Sequence, residues 1–241
     1  MIQLRCGYKP GTVGYIAANS PRYHDFFDSI ERLEVPLGTA LGKSVIYNSA
    51  SNRNGIVKVA VGDWILFLDD DHCFSDKLVF KMLERNVDIL VAPYSGRYPP
   101  FEPVLFKCYH PDAPDPKDAH IWARYTWKDI EHKTGLMEIQ GSGFGAVMVK
   151  MHVIEKMKEV WGEPLFRVGQ FDKSWKVYAK DEMAEDLAFC WAARKVGFKV
   201  YADLDLPVGH ITEVALIPNR DKEGRLRLMS DINGHCIWTT P

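Results

Sequence analysis

An apolar segment that ends in three consecutive carboxylates is the part of this chain best suited to chemistry. The residues at 64–68 are all apolar, and Asp69, Asp70 and Asp71 follow directly. Such a run is typical of a buried strand in a largely parallel sheet, and open α/β sheets bind ligands at the carboxyl ends of their strands. Because adjacent like charges repel, water or a cation must offset these acids. The segment therefore predicts a divalent cation and a phosphate-bearing substrate held by it.

The same acids are also compatible with a purely structural role. Acid clusters are common in solvated turns that cap the following helix, although a cluster directly after a buried strand is less usual. His72 comes next in the chain. If the strand alternation continues through the acids, the side chain of His72 points away from them.

The elements around these acids alternate between strand and helix, as in an α/β domain with parallel pairing. Hydrophobic periodicity and capping residues locate them along the first part of the chain. The predicted strands lie at 12–18, 44–47, 64–68 and 88–92, and the predicted helices at 23–33, 52–60 and from about 75 to 85.

The second part of the chain begins with a stretch of different composition. Residues 93–135 contain seven prolines and several aromatic residues, which is typical of loops or an antiparallel ribbon. Long loops often carry function, and Arg97 in this stretch is a candidate contact for a phosphate or an acceptor. Beyond it we predict strands at 146–149 and 199–202 and helices at 152–160 and 184–196.

Bulk composition indicates an ordinary globular protein. The chain has 241 residues, 46% of them hydrophobic, and a net charge of −2, which gives no electrostatic footprint for non-specific nucleic-acid binding. Its five cysteines are odd in number and lack CxxC spacing, which argues against a zinc cluster or a disulfide framework. We find neither a signal-peptide core nor an apolar run that would span a membrane, so a reducing cytoplasm is the expected location.

Three segments, taken in order, resemble the nucleotide-sugar glycosyltransferases of the GT-A fold. They are most similar to the family 2 type and, within it, to the phage-encoded enzymes. The stretch NRNGIV at 52–57 resembles the donor-site Arg-Asn motif, and ILFLDDD at 65–71 resembles the DxD motif. AEDLAF at 184–189, followed by KVGFKVYADLDLPVGHI, resembles the acidic helix start and the later strand with its histidine. The resemblance covers roughly residues 12–212.

The resemblance implies a single GT-A-type, Rossmann-like α/β domain over residues 1–241. We expect a mostly parallel central sheet flanked by helices, with a smaller antiparallel or loop region for the acceptor. Residues of about 12–92 would form the nucleotide-binding half and about 93–212 the acceptor and catalytic half. Residues 213–241 would form a C-terminal tail.

The resemblance also assigns a metal site for Mn²⁺ or Mg²⁺. Asp71 would ligate the cation, and Asp69 would contact the donor ribose or a metal-bound water, with Asp70 between them. His210 follows a strand and a turn, and the resemblance implies that it completes the site with Asp71. A neutral imidazole is a common metal ligand, but a histidine in a surface loop is the alternative.

Two acids at the start of a predicted helix are candidates for the general base. A hydroxyl becomes a good nucleophile only as its proton is removed, and a carboxylate near the anomeric carbon can accept that proton. In the resembled family the Asp of such a Glu-Asp pair does this, which implies Asp186, with Glu185 as the substitute. Acids at a helix start are also favoured by the helix dipole alone, so the structural alternative is strong.

Further residues are candidate donor contacts. Arg53 would supply charge near the phosphates, and Asn54 would hydrogen-bond a base or ribose. Asn19 and Ser20 stand at the end of the first strand, where the family's usual Pro-x-x-Asn is absent. The glycine-rich segment 141–145 lacks the Lys-Ser/Thr of a phosphate loop. Its glycines more simply permit close backbone approach beneath a donor sugar, which makes Ser142 and Gly143 candidates.

The favoured function is a metal-dependent glycosyltransferase that moves a sugar from a nucleoside-diphosphate sugar to an acceptor hydroxyl. We expect inversion, although retaining enzymes share this fold and the sequence is compatible with them. The acceptor class is open between a glycan, a lipid, a protein and a modified nucleobase, and the oligomeric state is not readable.

Three alternatives to this function stay open. A haloacid dehalogenase-type phosphatase also has Asp-x-Asp after a strand, but normally near the amino terminus. A nucleotidyltransferase would require a glycine-rich basic loop after the first strand, which is missing. The last alternative is a non-catalytic sugar-nucleotide-binding protein.

Overall fold

The computed structural model describes residues 3–5, 7–17, 23–46, 48–108, 122–167, 170–171, 177–178, 184–212, 215–220, 223, 226–232 and 235–238. The helices are α1 (His24–Arg32), α2 (Ser49–Val59), α3 (Leu78–Glu84), α4 (Trp127–Ile130), α5 (Met151–Trp161) and α6 (Glu185–Lys195). Within the described ranges, none of the helices is long and apolar enough to cross a lipid bilayer.

The strands occur throughout the described ranges. They are β1 (Gln3–Arg5), β2 (Thr12–Ile16), β3 (Glu34–Pro36), β4 (Ala40–Ser44), β5 (Trp64–Asp69), β6 (His72–Cys73), β7 (Ile89–Val91), β8 (Leu105–Cys108), β9 (Trp122–Arg124), β10 (Leu136–Ile139), β11 (Gly141–Ser142), β12 (Ala146–Lys150), β13 (Gln170–Phe171), β14 (Val177–Tyr178), β15 (Val200–Asp203), β16 (Gly209–His210), β17 (Ala215–Arg220), β18 (Leu226–Ile232) and β19 (His235–Trp238).

A central sheet with strand order β10-β15-β7-β12-β5-β2-β4 organises the fold. β2, β4, β5, β7 and β15 run in one direction, while β12 and β10 are reversed. The expected α/β architecture with a mostly parallel central sheet is therefore confirmed. The reversal of β12 brings its start, and the glycine-rich segment before it, to the same edge of the sheet as the end of β5.

β5 is buried on both faces, which explains its unbroken apolar run. Ile65 and Phe67 pack in the cluster that contains side chains of α2, α5 and α6. Leu66 and Leu68 pack on the other side, with side chains of α1 and α3. The apolar run ends at Leu68 and the acids follow at the carboxyl end of β5, where Asp70 and Asp71 are buried as well.

The start of α2 is fixed against the end of β4. The side chain of Asn48 caps the helix by accepting a hydrogen bond from the Ser51 amide at 2.8 Å. Oδ1 of the buried Asn52 accepts hydrogen bonds from the Ser44 hydroxyl at 2.9 Å and the Ile46 amide at 2.7 Å. These bonds set the orientation of the first turns of α2, which carry the next residue, Arg53, inward.

The proline-rich stretch forms antiparallel structure where it is described. β8 pairs antiparallel with both β9 and β11 in a three-stranded sheet. A capping box starts α4, because Thr126 and Asp129 each accept a hydrogen bond from the other's backbone amide. This agrees with the prediction of loops or an antiparallel ribbon.

The structure corrects one predicted strand and adds a small sheet near the end of the chain. The second strand is β4 at Ala40–Ser44, not 44–47, because an edge strand needs no continuous apolar run and ALGKS gives little strand signal. The end of the chain, expected to form a C-terminal tail, contains the three-stranded antiparallel sheet β17-β18-β19 where it is described.

Candidate active site

A buried arginine joins two of the predicted acidic sites at one edge of the central sheet. Arg53 projects from α2, and its Nη1 lies 2.5 Å from Oε1 of Glu185 at the start of α6. Its Nη2 lies 3.2 Å and 3.3 Å from the two carboxylate oxygens of Asp69 at the end of β5. One guanidinium therefore holds the end of β5, which precedes the candidate metal ligand Asp71, beside the start of α6, which carries the candidate base Asp186.

The surroundings of Arg53 keep it positively charged. Its side chain is only 4% exposed, and its Cζ lies 5.5 Å from the ring centroid of Phe144 and 5.9 Å from that of Phe166. Burial acts to lower the pKa of Arg53, but the neighbouring carboxylates, above all Asp69, hold it above its ordinary value. A cation between aromatic faces and carboxylates is well stabilised.

The two acids of α6 have different partners. Glu185 is held by Arg53, whereas Oδ1 of Asp186 accepts a hydrogen bond from the Leu187 amide at 2.7 Å. Burial raises the pKa of Asp186 to about 6, although the charge of Arg53 acts against this shift. A carboxylate with a pKa near 6 is deprotonated at neutral pH yet still basic, which suits a general base.

The chain turns sharply after β5 and brings two histidines face to face. The short strands β6 and β16 pair antiparallel, with His72 opposite His210. The two imidazole rings stack with centroids 4.6 Å apart and planes 10° apart. Together with Asp71 they offer one ligand atom each within 4.8 Å of one another, and we call these three residues the metal-capable cluster.

The hydrogen bonding of the metal-capable cluster fits a bound cation. His210 Nδ1 lies 2.8 Å from the Ser95 carbonyl oxygen, so the tautomer protonated there leaves the Nε2 lone pair free. That Nε2 is 3.5 Å from Oδ2 of Asp71. Oδ1 of Asp71 and both ring nitrogens of His72 are buried without a well-aligned hydrogen bond. Buried oxygen and nitrogen atoms left in this way are suitable ligands for a divalent ion.

A positive charge already lies against part of this cluster. Nη2 of Arg97 contacts Oδ2 of Asp71 and lies 3.4 Å from Nε2 of His210. The guanidinium, whose side chain is 30% exposed, thus stands where a cation would neutralise Asp71. A metal ion at this position requires Arg97 to move away, and its contact with phosphate or acceptor stays a prediction.

The prediction that His72 points away from the acids is wrong. It assumed that strand alternation continues through the acids, but β5 ends at Asp69 and the chain turns at Asp70 and Asp71 before β6 begins. A turn resets the alternation, so His72 faces His210 instead of the opposite side. The sequence signal for this was weak, because only the short β16 around His210 creates the pairing.

The structure describes two of the remaining candidates, at the end of β5, but not the two that follow β2. Asp69 binds Arg53 and, among the described residues, is not part of the metal-capable cluster. Asp70 is buried. The direct roles of both with metal or donor stay predictions. Asn19 and Ser20 lie outside the described residues.

Two further donor-contact candidates are engaged with backbone. The side-chain amide of Asn54 donates to the Phe166 carbonyl at 2.8 Å and accepts from the Phe166 amide at 3.0 Å. The buried hydroxyl of Ser142 donates to the Val104 carbonyl at 2.8 Å. In this structure both side chains hold the segments that surround the site, and direct donor contact stays a prediction.

The glycines of segment 141–145 make room for aromatic side chains. A Cβ on Gly143 would lie 2.1 Å from Oη of Tyr94, and one on Gly145 would lie 2.5 Å from the ring of His72. Tyr94 is buried, accepts a hydrogen bond from the Gly145 amide at 3.3 Å and lies 4.5 Å from the His72 ring, between centroids. Burial raises the pKa of Tyr94 above its usual range, so it stays neutral. Sequence reasoning missed Tyr94, because a tyrosine in a proline-rich loop has no distinguishing spacing.

Comparison with known proteins finds one family to which part of the chain is similar. Residues 47–155 match the family model for glycosyl transferase family 2. This segment contains the candidate donor and metal residues Arg53 to Asp71. A search of curated proteins finds no match. The family match favours glycosyl transfer over the phosphatase that the Asp-x-Asp pattern had left open.

One solved structure has a similar fold at low sequence identity, and two others align less closely. The crystal structure of A197 from STIV aligns with a TM-score of 0.50 and 16% identity, over 95% of this chain and 98% of that one. GalNAc-T7 with UDP, GalNAc and Mn²⁺ aligns with a TM-score of 0.48 and 11% identity, over 83% of this chain and 42% of that one. TarS from S. aureus aligns with a TM-score of 0.48 and 13% identity, over 83% of this chain and 36% of that one. The chain therefore spans less than half of the length of the last two.

Proposed function

We propose that this chain is a metal-dependent, inverting glycosyltransferase of the GT-A fold, supported by the match of residues 47–155 to the glycosyl transferase family 2 model and by the fold. It would move a sugar from a nucleoside-diphosphate sugar to an acceptor hydroxyl. The observation that carries this proposal is the bridge from Asp69 through Arg53 to Glu185, which sets the donor edge of β5 beside the start of α6.

Asp71 and His210 are the proposed ligands for a divalent cation, Mn²⁺ or Mg²⁺. The support is the unprotonated Nε2 of His210, which faces Arg97 in this structure, and the buried Oδ1 of Asp71, which has no well-aligned hydrogen bond to a described residue. When bound, the cation would hold the donor diphosphate and offset the negative charge that develops as it leaves. Arg97, once it leaves Asp71, is long enough to turn toward the diphosphate and is the proposed second positive charge there.

Asp186 is the proposed general base. The acceptor hydroxyl would pass its proton to the Asp186 carboxylate as its oxygen attacks the anomeric carbon from the face opposite the leaving diphosphate. Glu185 is less suited, because its carboxylate is 2.5 Å from the guanidinium of Arg53 and is already paired. Asp186 has no such pairing in the described contacts, and its raised pKa makes it the stronger base.

These assignments give the two halves of the chain different proposed roles. Residues of about 12–92 would supply the donor contacts, including Asn19 and Ser20 near the base or ribose and Asp71 at the cation. Residues of about 93–212 would supply Asp186 and the acceptor region. His210 crosses this division, because β16 returns to pair with β6. The acceptor class stays open between glycan, lipid, protein and modified nucleobase.

A reducing cytoplasm is the proposed location. The described cysteine side chains, Cys73 and Cys190, are both free thiols. Burial raises the pKa of Cys190 to about 12, so this thiol is unreactive and needs no protection from a partner.

Thermal stabilisation by nucleotides tests the donor and cation assignments. The full chain is melted with a panel of nucleoside diphosphates and nucleotide sugars, with Mn²⁺ and with chelator. Ligands that bind the native state raise the melting temperature by mass action. We expect a shift with one nucleoside-diphosphate class that is lost on chelation. A folded chain that shows no shift with any of them contradicts the proposal.

A substitution at the base then separates catalysis from binding. Asp186→Asn should leave the nucleotide-induced thermal shift intact and lower the rate of sugar transfer or donor hydrolysis at least ~100-fold. Glu163→Gln, at an exposed site, is the matched control and should leave both unchanged. Normal turnover by Asp186→Asn rules it out as the base. A wild-type chain that binds donor but never turns it over supports the binding-protein alternative instead.

A further inference from the structure

We propose that His72 is a third protein ligand of the cation, so that the site consists of one carboxylate and two imidazoles. This inference rests on the proposed cation site at Asp71 and His210 and extends it. It also predicts which metal the protein takes, because two nitrogen ligands favour a transition-metal ion over Mg²⁺.

The first support is the buried and unpartnered state of the His72 ring. The side chain of His72 is 2% exposed, and among the described residues neither of its ring nitrogens has a hydrogen-bond partner of good geometry. Buried polar atoms in folded proteins are nearly always paired, and exceptions call for an explanation such as a bound ion. At least one ring nitrogen of a neutral imidazole carries a lone pair, which is what a metal ligand requires.

The second support is the spacing of the possible ligand atoms. His72 Nδ1 lies 2.8 Å from Asp71 Oδ1, and both atoms lack a well-aligned hydrogen bond, with each other or with other groups. Two ligands at about 2.1 Å from one ion and at a right angle to each other lie about 3 Å apart. The ligand atoms of Asp71, His72 and His210 all lie within 4.8 Å of one another. The three side chains are thus already grouped as one coordination set.

Packing alone explains the ring of His72 but not its nitrogens. The ring stacks on His210 and meets the edge of Tyr94, with centroids 4.6 Å and 4.5 Å away. A phenylalanine would make the same contacts without burying unpaired polar atoms. The missing side chain of Gly145 makes room for this ring, since a Cβ there would lie 2.5 Å from its Nε2. The site therefore accommodates an imidazole at some cost, and metal ligation gives the nitrogens a partner.

The ligand set has a consequence for metal selection. Imidazole suits Mn²⁺, Fe²⁺, Co²⁺ and Zn²⁺ better than Mg²⁺, which prefers oxygen ligands and keeps several of its waters. One carboxylate and two histidines on one side of an ion leave the other positions open for a diphosphate and water. We therefore expect the protein to prefer a transition-metal ion to Mg²⁺.

Pulsed electron paramagnetic resonance of bound Mn²⁺ tests the inference without an activity assay. Nitrogen modulation of the Mn²⁺ signal counts the directly coordinated imidazoles in the full-length wild-type chain. We expect two coordinated nitrogens, and one upon substitution His72→Phe, which keeps the stacked ring. Mn²⁺ binding should weaken at least ~10-fold in that variant. His152→Gln, at a half-exposed surface histidine, is the matched control and should keep two nitrogens and wild-type affinity.

The outcomes separate this inference from the proposed function. A single coordinated nitrogen in the wild type overturns the set of two imidazoles and leaves a cation site at Asp71 standing. A wild-type chain that binds no Mn²⁺ overturns both. The wild-type count decides the question even where His72→Phe fails to fold. As a second measure, Mg²⁺ should displace Mn²⁺ only at more than ~100-fold excess, and displacement at equal concentration contradicts the predicted selectivity.

Discussion

Arg53 and Glu185 are 132 residues apart in the chain, yet Nη1 of the arginine lies 2.5 Å from Oε1 of the glutamate. The same guanidinium binds Asp69, so a single side chain spans from the end of β5 to the start of α6. Removing one partner from a buried set of charges leaves the others uncompensated in a low-dielectric environment. Arg53 therefore fixes the distance between Asp69 and Glu185, and with it the distance from the end of β5 to the proposed base, Asp186.

Substitution of Arg53 should cost both stability and order at the site. Arg53→Met leaves Glu185 and Asp69 facing each other without a counter-charge, and we expect a loss of ~2–4 kcal/mol in the free energy of unfolding. We expect a smaller loss of unfolding free energy than for a fully buried ion pair, because the Asp69 side chain is 30% exposed. Urea denaturation of the full chain measures it. Arg32→Met, at an exposed helix position, is the control, and equal losses in both variants contradict the positioning role.

The pH dependence of the reaction should report the raised pKa of Asp186, the proposed general base. Its pKa is raised to about 6, mainly by burial, and a general base works only when deprotonated. The value of kcat/KM at saturating cation should therefore fall below about pH 6, tenfold for each further pH unit, and level off above it. For stability the sign is opposite. The protonated form is favoured on folding, so this contribution is present at acidic pH and is lost as the pH rises through about 6.

A variant of Glu185 checks that this pH limb belongs to Asp186. The negative charge of Glu185 raises the pKa of its neighbour, so Glu185→Gln should move the limb to lower pH. The same substitution frees Arg53 from its pair, which acts in the same direction. If the fall of kcat/KM stays at the same pH in Glu185→Gln, it reports another group, such as a metal ligand.

Much of this arrangement could be predicted from the sequence, because it depends on local signals. The apolar run of β5 marks a strand buried on both sides, and the acids after Leu68 mark its carboxyl end. The acids at the start of α6 follow from helix periodicity around Ala188 and Trp191. Each of these signals lies within one element, so no knowledge of long-range packing is needed.

The rest of the site depends on contacts between distant segments. The orientation of His72 is set by its pairing with His210, and the burial of Arg53 by the aromatic rings of Phe144 and Phe166. Nothing in the spacing around these residues encodes a partner about 90 to 140 positions away. The sequence thus identified the types of residue at the site, whereas the structure alone shows which of them neutralise one another.

Arg97 should compete with the cation for Asp71 when no donor is bound. Its guanidinium contacts the Asp71 carboxylate and lies 3.4 Å from His210 Nε2. Arg97→Gln removes this positive charge, so Mn²⁺ alone should bind at least ~3-fold more tightly, a small change in keeping with a partly exposed ion pair. Binding of a nucleoside diphosphate with Mn²⁺ should instead weaken, because a positive charge near the phosphates is lost. Calorimetric titration measures both, and Arg124→Gln, at an exposed arginine, is the control.

The opposite directions of these two effects make the Arg97 prediction specific. An arginine that only stabilises the loop would change both affinities in the same sense. Weaker binding of Mn²⁺ alone by Arg97→Gln would show that the guanidinium organises Asp71 and does not compete for it.

Gly143 should be required for packing against Tyr94, whatever its relation to the donor. A Cβ at this position would lie 2.1 Å from Tyr94 Oη and 2.9 Å from a methyl group of Val104, and the ring is buried and unable to give way. Gly143→Ala should therefore lower the free energy of unfolding by ~1–3 kcal/mol, the usual range for overpacking a core. Thermal or urea denaturation measures the loss.

A double-mutant cycle distinguishes this clash from a general intolerance of the segment. Tyr94→Phe alone removes the acceptor of the buried Gly145 amide and should cost ~1–3 kcal/mol. In the double variant the missing hydroxyl group relieves the clash at position 143. The loss of unfolding free energy in the double variant should therefore be smaller than the sum of the two single losses by at least ~0.5 kcal/mol. Strict additivity means that the added methyl group meets something other than the tyrosine hydroxyl. Nucleotide binding by the double variant then shows separately whether the backbone at Gly143 touches the donor.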